Sequence, residues 1–212
     1  MRVSIGEVQS TVLKATRGSY MSWGMAEEAG RAVAWLETRQ LPASEAAAAL
    51  VEENDSIPMA RLSPVDPTAS SIKGEGRLCP VLTGAALSDA NPTSALEILA
   101  VAHPLLLVSF VAQIGEGQSK DFRVSWAEVE IVCGVNGLTV KGERSALLKK
   151  HASAVKIKYS SDKASAIEER QLRAEVNDNA WELLERYAHR TYVPASEASR
   201  LAGAGAGLTD ND

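Results

Sequence analysis

Between Phe122 and Tyr159 the chain repeats with a period of two. Phe122, Val124 and Trp126 alternate with Arg123 and Ser125, and Val129, Ile131 and Cys133 alternate with Glu130 and Val132. Val155, Ile157 and Tyr159 alternate with Lys156 and Lys158. Successive side chains on a strand point to opposite faces, so this pattern predicts an antiparallel sheet with one face buried and one wet. Asn136-Gly137 is a hairpin signal, with Leu138 to Lys141 as the return strand.

The first part of the chain carries a helical period instead. Ser4 and Glu7 form a capping box ahead of the stripe Ile5, Val8, Val12 and Ala15, and Gly18 ends that helix. Ser22 caps a second helix on Met25, Ala29, Ala32, Val33 and Leu36, with Glu27 and Arg31 paired on its wet face. A third runs from Ala43 through the alanines to about Glu53. Pro and Gly punctuate Asn54 to Leu78, and this predicts a long loop.

Pro80 to Leu87 suits a short helix. Leu96 to Val101 and Leu105 to Ala112 are apolar runs separated by His103-Pro104. Periodicity alone does not separate a buried strand from a buried helix. Val108, Phe110 and Val111 favour strand for the second run. Asn177 caps a last helix with Trp181, Leu184 and Ala188 on one side, stopping near Thr191 ahead of Pro194.

The order predicts an α+β fold: an N-terminal helical layer, a central antiparallel sheet, a C-terminal helix and an ordered tail. The division is 1–54 as helical segment, 55–78 as loop and 79–212 as α+β region with tail, together one compact domain.

Charge excludes some functions. A net charge of −5 and a pI near 5.4 argue against a nucleic-acid partner and against attraction to an anionic membrane surface. The run Pro104 to Ala112 is far short of the roughly 20 residues that span a bilayer. Cys79 and Cys133 are far apart and imply neither a disulfide framework nor a zinc site. A soluble, cytoplasmic protein of bacterial style is expected.

Chemistry is sought first in the tail. Gly203, Gly205 and Gly207 free successive backbone amides to cradle an anion, and Arg200 beside them is a guanidinium fork. The same glycines equally suit a flexible arm. Glu197 is placed as a base and Ser199 as a polar ligand contact; helix capping and surface pairing account for both as well. His189, on the last helix before the tail, is the best-placed acid–base histidine, a position that also suits a helix-dipole partner. Trp23 at a helix entry suits a pocket, an interface or the core. Cys79 ahead of Pro80 is conceivable as a nucleophile but lacks a neighbouring base in sequence. The histidines show no metal spacing, Asp210 and Asp212 supply too few oxygens for a cage, and no cofactor is implied.

Ser4-x-x-Glu7, Lys14-Ala15-x-Arg17-Gly18, Ser22-Trp23-Gly24-x-Ala26-Glu27-Glu28-Ala29-Gly30 and the ending Tyr192-Val193-Pro194 through Asp212 resemble a family of uncharacterised bacterial proteins of about this size. That resemblance spans essentially the whole chain and implies no activity, cofactor or catalytic residue. The first helical region is also similar to the N-terminal helices of the malate/L-lactate dehydrogenase family outside the Rossmann class. The histidine-bearing motif that follows there is absent here, so NAD binding is not implied.

Two functions follow. One is a binding protein or enzyme for a small anionic ligand, with a site completed by the tail, at times across a homo-oligomer interface. The other is a non-catalytic assembly or accessory subunit that uses the tail as an interface arm.

Overall fold

The computed structural model describes residues 1–135, 137–165 and 170–192. The chain opens with a short strand, β1 (Arg2–Ser4), which leads directly into α1 (Ile5–Gly18). The Ser4 hydroxyl accepts from the Glu7 amide at 3.2 Å while the Glu7 carboxylate accepts from the Ser4 amide at 2.8 Å, the expected capping box. α2 (Trp23–Glu37) starts at Ser22, and α3 (Ala43–Asn54) follows a tight connection. The Glu37 carboxylate accepts from the Ser44 amide at 2.7 Å, so the end of α2 supplies the N-terminal cap that Pro42 lacks.

Residues 55–78 are not featureless. A 3-10 turn covers Met59–Leu62, and β2 (Ser71–Ile72) is a short strand. The segment lies along β3 (Leu96–Ala102), where Leu78 donates to Ala100 O at 2.8 Å and accepts from Ala102 N at 3.0 Å. Its many breakers shape a path that borrows hydrogen bonds from a neighbouring strand. Between the two comes α4 (Pro80–Ala90), ended by left-handed Asn91.

The run after His103 is a correction. Expected as a strand, it is a 3-10 turn (Pro104–Leu107) continuing into α5 (Val108–Gln118). Pro104 sits at the first helical position, where its missing N–H costs nothing. Every residue from Pro104 to Ala112 is buried. A helix buried on all sides loses the apolar–polar period that would reveal it.

The remaining strands are β4 (Asp121–Trp126), β5 (Val129–Gly134), β6 (Gly137–Lys141) and, after the four-residue α6 (Arg144–Leu147), β7 (His151–Tyr159). The sheet order is β2-β3-β7-β4-β5-β6. From β3 to β6 every neighbour is antiparallel, as expected; β2 adds a parallel edge, so the sheet is mixed. Gly134 pairs with Gly137 at the β5–β6 hairpin. Asn136 itself lies outside the described residues.

Register explains the alternation. Val124 faces Ile131 on one side and Ile157 on the other, all buried, while Arg123, half-buried, sits between buried Val132 and exposed Lys158 on the opposite face. α5 packs on the buried face over β4 and β5. A Cβ on Gly84 of α4 would lie 2.3 Å from the Phe110 ring of α5, so that ring lies directly against the α4 backbone.

β8 (Arg173–Glu175) pairs with β1, and α7 (Asp178–Ala188) follows, capped by Asn177 as expected. Trp181, Leu184, Tyr187 and Ala188 bury its inner face against α1 and α3. Gly18 ends α1 against the end of α7: a Cβ there would lie 2.0 Å from the Tyr187 carbonyl oxygen.

Gly18→Ala tests that contact by sign. Alanine's helix propensity alone would add about 0.5–1 kcal/mol of stability. Overpacking against a backbone carbonyl predicts instead a net loss of about 1–3 kcal/mol in urea unfolding. A stabilised variant would mean that the two helix ends are not in contact.

A candidate anion site where helix ends meet

Three helix ends converge beside Gly18. Arg17 closes α1, Asp55 follows α3, and Arg190 follows α7 within a 3-10 turn (His189–Thr191). Between α1 and α2 the chain reverses through Tyr20, whose backbone is left-handed at φ 75°. That reversal pushes Tyr20 outward, and Trp23 emerges at the start of α2; both are exposed, at 67% and 56%.

These residues enclose a cavity of about 470 Å³ lined by Arg17, Gly18, Tyr20, Trp23, Arg190 and Thr191. A second hollow of about 420 Å³ shares Tyr20 and continues over Ser56, Ile57, Pro58 and Met59. The first contains two guanidiniums and no carboxylate among its lining residues. Volumes of this order match small-molecule pockets.

Each guanidinium is held from behind. Arg17 Nη1 donates to Met21 O at 2.8 Å, and its guanidinium carbon lies 5.2 Å from the Trp23 ring centre. Arg190 Nη1 donates to Asp55 Oδ1 at 2.7 Å, and the guanidinium stacks on Tyr187 with its carbon 4.1 Å from the ring centre. Tyr187 OH donates to Asp55 Oδ2 at 3.2 Å, so one carboxylate holds both side chains from α7. A guanidinium carries five donors in a planar fork. These protein contacts use the Nη1 nitrogen of each.

The hydrogen bond from Arg190 and its charge hold the Asp55 carboxyl below its ordinary range, and the same bond raises Arg190. Burial, with the Asp55 charge beside it, pushes the Tyr187 hydroxyl up.

Of the residues expected from sequence to form a site, Trp23 lines this cavity. His189 does not: it is exposed, and its ring meets Tyr192 edge-on with centres 5.1 Å apart. Lys14 Nζ lies 3.4 Å from Tyr192 OH on the same side. Glu197, Ser199, Arg200, Gly203, Gly205 and Gly207 lie outside the described residues. Cys79 is buried, and burial raises its thiol, which removes it as a nucleophile in this state. Among the described residues, no group of three or more His, Cys, Asp or Glu side chains is arranged to hold a metal ion. No helix among them is long and apolar enough to cross a membrane.

Residues 3–75 match the model of a family described as "Protein of unknown function (DUF3726)". No curated protein and no solved structure matches the chain. The matched span holds α1 to α3 and the segment up to residue 75, and with them Arg17, Tyr20, Trp23 and Asp55; Arg190 lies beyond it.

Sequence reasoning passed over Arg17, Tyr20, Asp55 and Arg190. The residue before Gly18 at a helix end was visible as a cation near a C-terminus. Its meeting with Arg190, far along the chain, was not.

Asp55→Ala removes the Arg190 ion pair and the Tyr187 hydrogen bond together. The pair is partly solvated, so the expected loss is about 1 kcal/mol in urea unfolding. Raising NaCl to about 0.5 M should narrow the gap between wild type and variant by screening. A gap of zero at low salt would show that Asp55 does not anchor the end of α7.

Proposed function

We propose that this protein binds a small anionic molecule with a flat apolar portion, at the cavity between Arg17, Arg190, Tyr20 and Trp23. The observation that carries the reading is the lining itself: two guanidiniums and two exposed aromatic rings, with no carboxylate among them. A carboxylate or phosphate takes the guanidinium forks, and a planar group lies against Trp23 or Tyr20. Exposed aromatics grouped this way leave apolar area in water that a ligand covers. Asp55 acts as the resident counter-ion of Arg190, holding that side chain ready. The buried free thiols of Cys79 and Cys133 support a reducing, cytoplasmic setting.

Phenyl phosphate and benzoate are suitable probes, followed by tryptophan fluorescence and thermal shift on the full chain. Both should stabilise the wild type in proportion to ligand concentration over Kd. Arg17→Ala and Arg190→Ala should each weaken binding about tenfold or more, a change of about 1.4 kcal/mol. Trp23→Phe should remove most of the fluorescence response while retaining the thermal shift. Absence of any shift at millimolar probe, or binding by both arginine variants equal to that of the wild type, sinks the reading.

One observation favours a second reading. Tyr20, Trp23 and Tyr192 are all exposed large apolar side chains, and Arg17 and Arg190 link their neighbourhoods. A surface of that kind also suits an interface in a homo-oligomer or with a partner subunit, using the C-terminal tail as an arm. Light-scattering mass separates the two: a chain ending at Leu201 that loses mass, or a Trp23→Ala variant that does, makes this surface an assembly device.

A further inference from the structure

Glu53, His103 and His151 meet where α3 ends against the edge of the sheet. His103 is 2% exposed and left-handed at φ 40°, between β3 and Pro104. Its backbone is fixed on both sides: its amide donates to Lys150 O at 2.7 Å and its carbonyl accepts from Leu106 N at 3.0 Å. A non-glycine residue in that conformation is uncommon and persists only where its surroundings over-determine it.

Its ring is more unusual. Neither nitrogen makes a well-aligned hydrogen bond, although both are buried. Nε2 lies 3.3 Å from Glu53 Oε1, close enough for an ion pair but not aligned as a hydrogen bond. The other oxygen of the same carboxylate lies 3.0 Å from His151 Nε2. Arg77 approaches Glu53 Oε2 at 3.7 Å and also holds α3 by donating to Asn54 Oδ1 at 2.9 Å and Glu53 O at 3.1 Å. The imidazoles stand edge to face with centres 6.5 Å apart.

One carboxylate thus faces three groups that are, or can become, cations. Arg77 is always charged. The His151 side chain is 58% exposed, so water shares any proton it carries; that of His103 is 1% exposed. With the Arg77 guanidinium already against Glu53, a proton on His103 meets like charge in a site without solvent.

We infer that Glu53, His103, His151 and Arg77 form an acid-operated clasp, which opens when His103 takes a proton and releases the last turn of α3. Burial lowers the basicity of His103 more than the Glu53 carboxylate, by its charge and its close approach to Nε2, restores it. For Glu53 burial is the largest single effect and acts upward. The hydrogen bond to His151 and the charges of His103, His151 and Arg77 together outweigh it, so the carboxyl stays low and ionised.

The sign follows. A histidine whose folded value is depressed contributes stability that is complete above its ordinary value, near 6.5, and is lost as pH falls through the folded value. The turn that opens carries Asp55, which holds Arg190 and Tyr187. Acid therefore acts on the helix-end cavity from behind. The clasp itself is independent of any ligand there.

The test needs no ligand. Thermal melts of the full chain are recorded from pH 7.5 to 5 for wild type, His103→Gln and His151→Gln. Histidine NMR titration and amide protection, corrected for intrinsic exchange, are measured on the wild type. The wild type should lose several degrees of Tm on acidification, and His103→Gln should lose at most half as much. The protection of Asp55 and Ile57 amides should fall together with protonation of His103. If His103→Gln does not fold, the wild-type titration still decides.

An equal acid-induced drop in His103→Gln overturns the clasp. So does a His103 resonance that titrates with no change at Asp55 and Ile57. Micromolar zinc that raises the wild-type Tm but not that of His103→Gln would overturn it too, making the cluster a metal site.

Discussion

The end of α1 and the end of α7 are in backbone contact, and the geometry of this protein's polar surface depends on it. At Gly18 there is no room for a side chain: a Cβ would stand 2.0 Å from the Tyr187 carbonyl oxygen. Two helices that approach this closely bring their terminal residues into one small region. Arg17 and Arg190, each just at or past a helix end, are the consequence. Cations are favoured at helix C-termini because the unpaired carbonyls there carry partial negative charge. Each arginine is thus stabilised locally by its own helix, and their meeting needs only the contact at Gly18. Two like charges side by side call for a counter-ion, and Asp55 supplies it for Arg190 from the end of a third helix.

Much of the fold was written in local pattern. The capping box at Ser4 and Glu7, the stop at Gly18, the cap at Asn177 and the alternation from Phe122 to Tyr159 each follow from neighbours within a few residues, and each appears where expected. The misjudged run, Pro104 to Ala112, is the one with no polar face to break the pattern. There the β-branched and aromatic content pointed to strand, and the deciding fact was tertiary. Those residues sit between the sheet and α4, so helix and strand would both have been wholly apolar. β1 and β2 went unseen because strands of two or three residues are fixed by their partners rather than by their own composition.

The site was less legible, for a related reason. Trp23 stood out because a large aromatic at a helix entry is unusual in any context. Arg17, Asp55 and Arg190 are ordinary surface residues one at a time. No two histidines stand at metal-ligand spacing in the sequence, yet His103 and His151 reach the same carboxylate since β3 and β7 are paired with Ala102 opposite His151. Antiparallel register makes such pairs, and no spacing rule for a single segment can find them.

Residues 53–55 hold these two regions together. Glu53 faces the imidazoles, Asn54 receives Arg77 and donates to the Cys79 sulfur at 3.5 Å, and Asp55 holds Arg190 and Tyr187. Glu53 and Asn54 close α3, where the helical turn of about 100° per residue aims them apart, and the chain leaves helical geometry only at Asp55, with φ −54° and ψ 125°, ahead of left-handed Ser56. The irregular backbone after α3 thus bears on the Asp55 contacts to Arg190 and Tyr187. A segment secured chiefly by charge pairs responds to protonation and to competing ions more than to changes in the core. That is the physical reason to look for function at this turn, rather than along the buried faces that define the fold.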